Sequence, residues 1–177
     1  MDLRDEIVLL EDPVWTDRFE TERDRVADAS GEGLLGVFHV GSTAIPDVPG
    51  KPALDVLAVF EDADAMAAAT DALADGDYER HHGGPDSALV VHWGDDHAVF
   101  VKLHTRDDEK ARNQIAFRDY LRDHPEARRE YERVKREAAE AHPEDPEAYT
   151  QAKTDVVTTH VERAREAGYV ERLPEFV

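Results

Sequence analysis

At 177 residues the chain is long enough to bury a core without disulfides or metal staples, and one domain over residues 1–177 is the expected organisation. It carries 41 Asp and Glu against 21 Lys and Arg, a formal charge of −20 spread along its whole length, which excludes nonspecific nucleic-acid or anionic-membrane binding. Cysteine is absent, so neither a disulfide framework nor a thiolate site is available. Acidity of this kind suits a halophilic surface, on which concentrated salt screens the self-repulsion. No apolar run approaches membrane-spanning length, and Met1 to Glu6 lacks the basic start and apolar stretch of a signal peptide, so a cytoplasmic protein is expected.

In chain order, Ile7 to Leu10 is a short apolar run, and Asp12-Pro13 is expected to cap and open a helix running to about Ala29, with Trp15, Phe19 and Val26 near helical spacing. Leu34–Val40 and Ala53–Phe60 are apolar runs bounded by Gly and Pro, the pattern of buried strands. Asp62 to Ala74 is Ala-rich and helical, stopped by Asp75-Gly76-Asp77. Tyr78–His82 reads as a short strand, and Ala88–Trp93 with His97–His104 reads as a hairpin about Gly94-Asp95-Asp96. Alternation in its second arm puts Phe100, Lys102 and His104 on one face. Helices are expected over Asp108–Arg122, Glu126–Ala141 and Pro146–Ala167, with Lys153 and His160 inside the apolar stripe of the last. A mixed β-sheet with an N-terminal helix and a C-terminal helical layer, an α+β architecture, is the economical assembly.

The chain is organised around the loop His39 to Asp55. Its Gly, Pro, Ser and Thr residues fix the conformation, and Gly41-Ser42 offers N–H groups and hydroxyls able to cradle a phosphate. Asp55 then sits inside an apolar strand, where a carboxylate needs a partner: a metal, a cation, or the N–H groups of the preceding loop. Pro49-Gly50-Lys51 is not a Walker loop, because the nearest upstream Gly is Gly41 and Lys51 is followed by Pro52 rather than a hydroxyl.

The run His39-Val40-Gly41-Ser42-Thr43, with Pro46, Lys51-Pro52 and Leu54-Asp55, resembles the signature of the GrpB-like family, a branch of the nucleotidyltransferase superfamily. Phe117 to Arg122, His124-Pro125, Tyr131, Lys135, Tyr149 and Lys153 are similar to that family's second motif. The resemblance implies a nucleotidyltransferase-like fold, with Gly41, Ser42 and Thr43 at the phosphates of a nucleotide or other phosphorylated small molecule. It places Asp55 at a divalent metal such as magnesium or manganese. The superfamily's chemistry transfers a nucleoside monophosphate, using carboxylates to hold the ions. Active members carry two acids two residues apart on one strand, whereas the position facing the same way as Asp55 here is Leu57. The family more often has Gly where Asp47 stands.

Two readings therefore stand at this point. In the first, Asp55 and His104 act as catalytic residues, His39 joins them around a metal softer than magnesium, and Lys51, Lys102, Arg118, Lys135 and Lys153 neutralise an anionic ligand. In the second, a non-catalytic ligand-sensing or protein-interaction module has lost the second and third acids; a partner contact through the face around Tyr131 and Val134 is compatible with it, although that stripe reads first as core. His81, His82, His92 and His97 lack the paired spacing of a zinc site and read as turn and strand-end residues.

Overall fold

A computed structural model of the protein describes residues 3–11 and 14–177, so the expected Asp12-Pro13 helix opening lies outside the described residues. Helix α1 (Trp15–Ala29) leads to strand β1 (Leu34–Val40), a single 3₁₀ turn at Ser42–Ala44, and strand β2 (Ala53–Phe60). Helix α2 (Ala63–Ala74) is followed by β3 (Glu79–Gly83), β4 (Ser87–Trp93) and β5 (Ala98–Thr105). Four helices close the order: α3 (Glu109–Asp123), α4 (Pro125–Ala141), α5 (Pro146–Ala152) and α6 (Thr154–Glu166).

Local chemistry sets many of these boundaries. Asp62 accepts the Ala65 N–H at 2.9 Å, Asp108 that of Lys110 at 2.9 Å and Asp145 that of Ala148 at 3.0 Å, so the open N–H groups of three helices find side-chain acceptors. Pro125 and Pro146 open α4 and α5, where no helical N–H is forfeited. The segment expected as one helix over 146–167 is broken at Lys153, whose φ of −95° and ψ of −5° cap both α5 and α6. Thr150 and Thr154 hydroxyls bond back to the carbonyls of Pro146 and Thr150, a habit that bends helices and that the apolar stripe does not reveal.

The sheet has the order β1-β2-β5-β4-β3, with β2 and β5 parallel and the other neighbours antiparallel. On one face, Leu54, Val56, Ala58 and Phe60 of β2 join Val99, Val101 and Leu103 of β5 under Trp15 and Val26 of α1 and Met66, Ala69 and Leu73 of α2. On the other, Val40, Leu57 and Val59 pack against Ala111 and Ile115 of α3. A helical layer lies beyond, where Phe117 and Leu121 of α3 meet Tyr131 of α4 and Val156 and Ala164 of α6. Tyr131 is thus buried within the chain, and the stripe around it is core, the first of its two expected readings.

Candidate anion-binding pocket

Strand β1 ends where it must turn across β2: Val40 pairs with Asp55, and the next residue is Gly41. Gly41 has φ 74° and ψ −172°, a region essentially confined to glycine. A Cβ there would stand 2.3 Å from Asp55 Oδ2, so the glycine is required by backbone conformation and by the closeness of the carboxylate. Gly50 packs the far side of the loop, where a Cβ would meet Ser42 Oγ at 2.9 Å, and its backbone is tied to Leu10 by a reciprocal pair of hydrogen bonds. Asp47 adopts φ 60°, the left-handed region that favours Gly and that Asp tolerates, with its side chain in solvent.

Asp55 is half-buried, and its partner comes from the neighbouring strand: Lys102 Nζ lies 2.9 Å from Asp55 Oδ1 and donates to Gln114 Oε1 of α3 at 3.2 Å. Register explains the pairing, since Leu57 sits opposite Lys102 across the parallel ladder and Asp55 faces the same side of the sheet two residues earlier. Around this pair opens a cavity of about 270 Å³ between the sheet and the helical layer. Gly41 and Ser42 border it, as do Lys51, Lys102, Lys135 and Lys153, which are four of the five lysines in the chain. Its opposite wall is apolar and aromatic, built from Phe117, Tyr131, Tyr149, Val157 and Val161.

Each lysine arrives differently. Lys51 projects from the loop toward the Tyr149 ring, 5.7 Å from its centre. Lys135 is buried on α4, donates to the Pro49 carbonyl and lies 5.4 Å from the Tyr131 ring centre. Lys153, placed at the α5–α6 break, sits 3.8 Å over the Tyr149 ring. Burial lowers the pKa of Lys51 below the usual lysine value, with Asp55 opposing the shift. Burial, reinforced by Lys153, pulls Lys135 well below it. Lys153 falls to about 8 through burial and repulsion from Lys51, with Asp55 opposing. Burial raises the Tyr131 and Tyr149 phenols above their ordinary value, so both stay protonated.

Other residues expected at the site go elsewhere. Arg118 donates to the His39 carbonyl at 2.9 Å and to Asp119 at 2.8 Å, and with Arg122, which holds the Ala44 carbonyl at 2.9 Å, it clamps the backbone on either side of the Gly41–Ser42 turn. His39 points to the α1 side of the sheet, where it stacks on Phe19 with ring centres 5.0 Å apart and meets Thr43 Oγ1 at 2.9 Å. Thr43 and His39 therefore border a second groove, with Arg122 and Trp15, and not the lysine pocket. His104 is buried against Asp108, Nδ1 to Oδ2 2.7 Å, beyond the pocket. Burial lowers the pKa of both imidazoles, His39 to about 4, with Arg122 adding to its shift, while Asp108 opposes that of His104.

Asp55, His39 and His104 thus do not converge, and no cluster of three His, Asp or Glu side chains able to hold a metal forms among the described residues. Magnesium and manganese prefer a shell of oxygen ligands. The pocket offers one carboxylate already paired with an ammonium, amid three further lysines. These residues do not fit a hard divalent ion. Gln114 and Asn113 of α3 were not foreseen at the pocket; their signal lay in the helical stripe they share with Phe117.

A mixed sheet carrying a Gly-Ser turn against a strand carboxylate, backed by helices, defines a nucleotidyltransferase-like fold. In agreement, the chain superposes on the non-canonical poly(A) polymerase complex GLD-2–GLD-3 with a TM-score of 0.51 at 15% identity, over 73% of this chain and 46% of that one, a likeness of fold alone. Within that class the chain belongs to the GrpB protein family, whose model matches residues 7–163. The crystal structure of the conserved protein GrpB from Enterococcus faecalis superposes with a TM-score of 0.83 at 24% identity, over 92% of this chain and 99% of that one. UPF0157 protein YqkA of Bacillus subtilis is 26% identical over 160 residues, which cover 89% of this chain and 47% of that protein. UPF0157 protein PA4798 of Pseudomonas aeruginosa is 31% identical over 166 residues, covering 89% and 66%. The chain therefore spans about half of one relative and about two thirds of the other. No helix among the described residues is long and apolar enough to cross a membrane.

Proposed function

We propose that this GrpB-family chain binds a phosphorylated small molecule in the lysine pocket, with a nucleotide as the class its fold suggests, and that it does so as a binding module without nucleotidyl transfer. The observation that carries this reading is the convergence of Lys51, Lys102, Lys135 and Lys153 on one cavity in a chain of charge −20. An anion entering there neutralises ammonium groups that repel one another, and the aromatic wall of Tyr149, Tyr131 and Phe117 receives its apolar part. The acidic exterior, read as a salt-adapted surface, repels free anions at long range, so the cluster is a local exception to the field around it.

Size and donor set narrow the reading. The cavity, about 270 Å³, lies near the low end of the range of about 300–1,000 Å³ usual for small-molecule sites, enough for the phosphate end of a ligand and part of its apolar body. Leu57, fully buried in the packed face against α3, occupies the position where an active member of the superfamily carries its second acid. The test is isothermal titration with ribonucleoside mono- and triphosphates in EDTA, magnesium or manganese. Monophosphate binding that is unchanged by EDTA supports the proposal. Binding that demands a metal and vanishes in Asp55→Ala would instead establish a nucleotidyltransferase-type centre.

A further inference from the structure

The lysines of the pocket are not equivalent. Lys102 is paired with Asp55 and Gln114, and Lys135 with the Pro49 carbonyl. Neither Lys51 nor Lys153 has a hydrogen-bond acceptor or carboxylate partner among the described residues, but where Lys51 stands 5.7 Å from the Tyr149 ring centre, the Lys153 amine is held over it at 3.8 Å, at the junction of the polar and apolar walls. The break between α5 and α6 puts it there, on a backbone fixed by the last turn of one helix and the first of the next.

We propose that Lys153 is a covalent anchor, forming a reversible imine with the aldehyde or ketone of a phosphorylated carbonyl compound whose phosphate is held by Lys51 and Lys102 beside Gly41 and Ser42. This rests on the anion-binding reading and names its ligand more narrowly. The step balances without a co-reactant. The neutral amine adds to the carbonyl carbon, one N–H proton passes to the oxygen to give a carbinolamine, and the second leaves with the hydroxyl as water while the C=N bond forms. Lysines become nucleophilic when desolvated beside other cations, because the protonated form is then disfavoured. Facing Lys153 are Lys51 of the loop, Asp55 of β2, Lys102 of β5, Lys135 and Tyr131 of α4, and Tyr149 of α5. Of these, two oppose the loss of the proton, the Asp55 carboxylate by its charge and the Tyr149 ring face by its quadrupole, and the carboxylate is already engaged with Lys102. Burial and the neighbouring ammonium groups bring Lys153 to about 8, within reach of neutral solution.

The experiment uses the full chain with pyridoxal 5′-phosphate as probe, sodium borohydride to reduce any imine, and peptide mass mapping. The five lysines make the map short, and Lys110, on the exposed side of α3, is the internal control. The expected result is trapping at Lys153 at least tenfold faster than at Lys110, slowed at least fivefold by inorganic phosphate, rising with pH through a midpoint near 8 and levelling above it. Pyridoxal without its phosphate reacts there at least tenfold more slowly, and K153R is not trapped at any pocket lysine. Equal labelling of Lys110 and Lys153, or labelling centred on Lys51 or Lys135, overturns the inference. If nucleoside monophosphates bind by titration and Lys153 is not trapped, the imine fails while the anion pocket stands. If neither occurs, both fail.

Discussion

The two faces of the β2–β5 pair make opposite uses of the same strands. On one, Leu54, Val56, Ala58 and Phe60 alternate into an apolar layer under α1 and α2 and are withdrawn from water. On the other, the intervening positions begin as packing at Leu57 and Val59 and end in a carboxylate and an ammonium beside a cavity. The first face is stabilised by apolar area, and the second is arranged at some cost to stability, since ammonium groups are desolvated close together. The lesson is that one pair of strands carries a packed face whose reason is internal and a pocket face whose charges apolar packing does not account for.

That contrast can be broken by substitution. Phe60→Ala on the packed face is expected to cost about 3–5 kcal/mol in urea unfolding, through lost burial and a residual cavity. Should it cost under about 1 kcal/mol, the packed face is not the core. At the seam between the faces, Gly41→Ala is expected to cost about 2–3 kcal/mol, because a Cβ meets Asp55 in a backbone region closed to alanine. Combining it with Asp55→Ala should recover part of that loss, and strict additivity would show that the contact with Asp55 is irrelevant.

His39 supplies a pH test on the α1 side. Its folded-state pKa of about 4 lies below the usual value of 6.5, so at neutral pH it is uncharged in both states. As pH falls through this window the unfolded chain takes up the proton first, and stability is lost. Wild type should therefore lose about 2 kcal/mol more than His39→Gln between pH 7 and pH 5. Parallel stability profiles would remove the buried neutral imidazole from the account. On the pocket face, Lys153→Met should leave stability unchanged or raise it by up to about 1 kcal/mol while weakening phosphate binding. A loss of more than about 2 kcal/mol would make that lysine a structural element. The smallest effect is expected for Arg133→Ala, whose exposed pair with Glu137 contributes below about 0.5 kcal/mol.

Much of this was written in periodicity. Alternation placed the strands and put Lys102 on one face of its strand with Phe100 and His104, and the structure turns that face toward Asp55. The same alternation also aimed His104 that way, yet the strand carries it two residues further along, where the N-cap Asp108 holds it. His39 was adjacent in sequence and lies on the opposite face, which alternation relative to Val40 already required. Lys153 entered the pocket at a helix break flanked by hydroxyl-to-carbonyl bonds, a local event that a smooth apolar stripe conceals. The segment after α6 had no period to read, although Tyr169 and Val177 are buried and Arg112 Nε donates to the Val177 carbonyl at 2.6 Å.

The most direct test of the lysine-pocket account is the affinity of one nucleoside monophosphate for wild type and Asp55→Asn in EDTA, followed by ³¹P line width. The account predicts metal-free binding that tightens about three- to tenfold in the variant, because a negative charge leaves the pocket and Lys102 is released toward the phosphate. Loss of binding in Asp55→Asn, with restoration of wild-type binding only on adding magnesium or manganese, would contradict it.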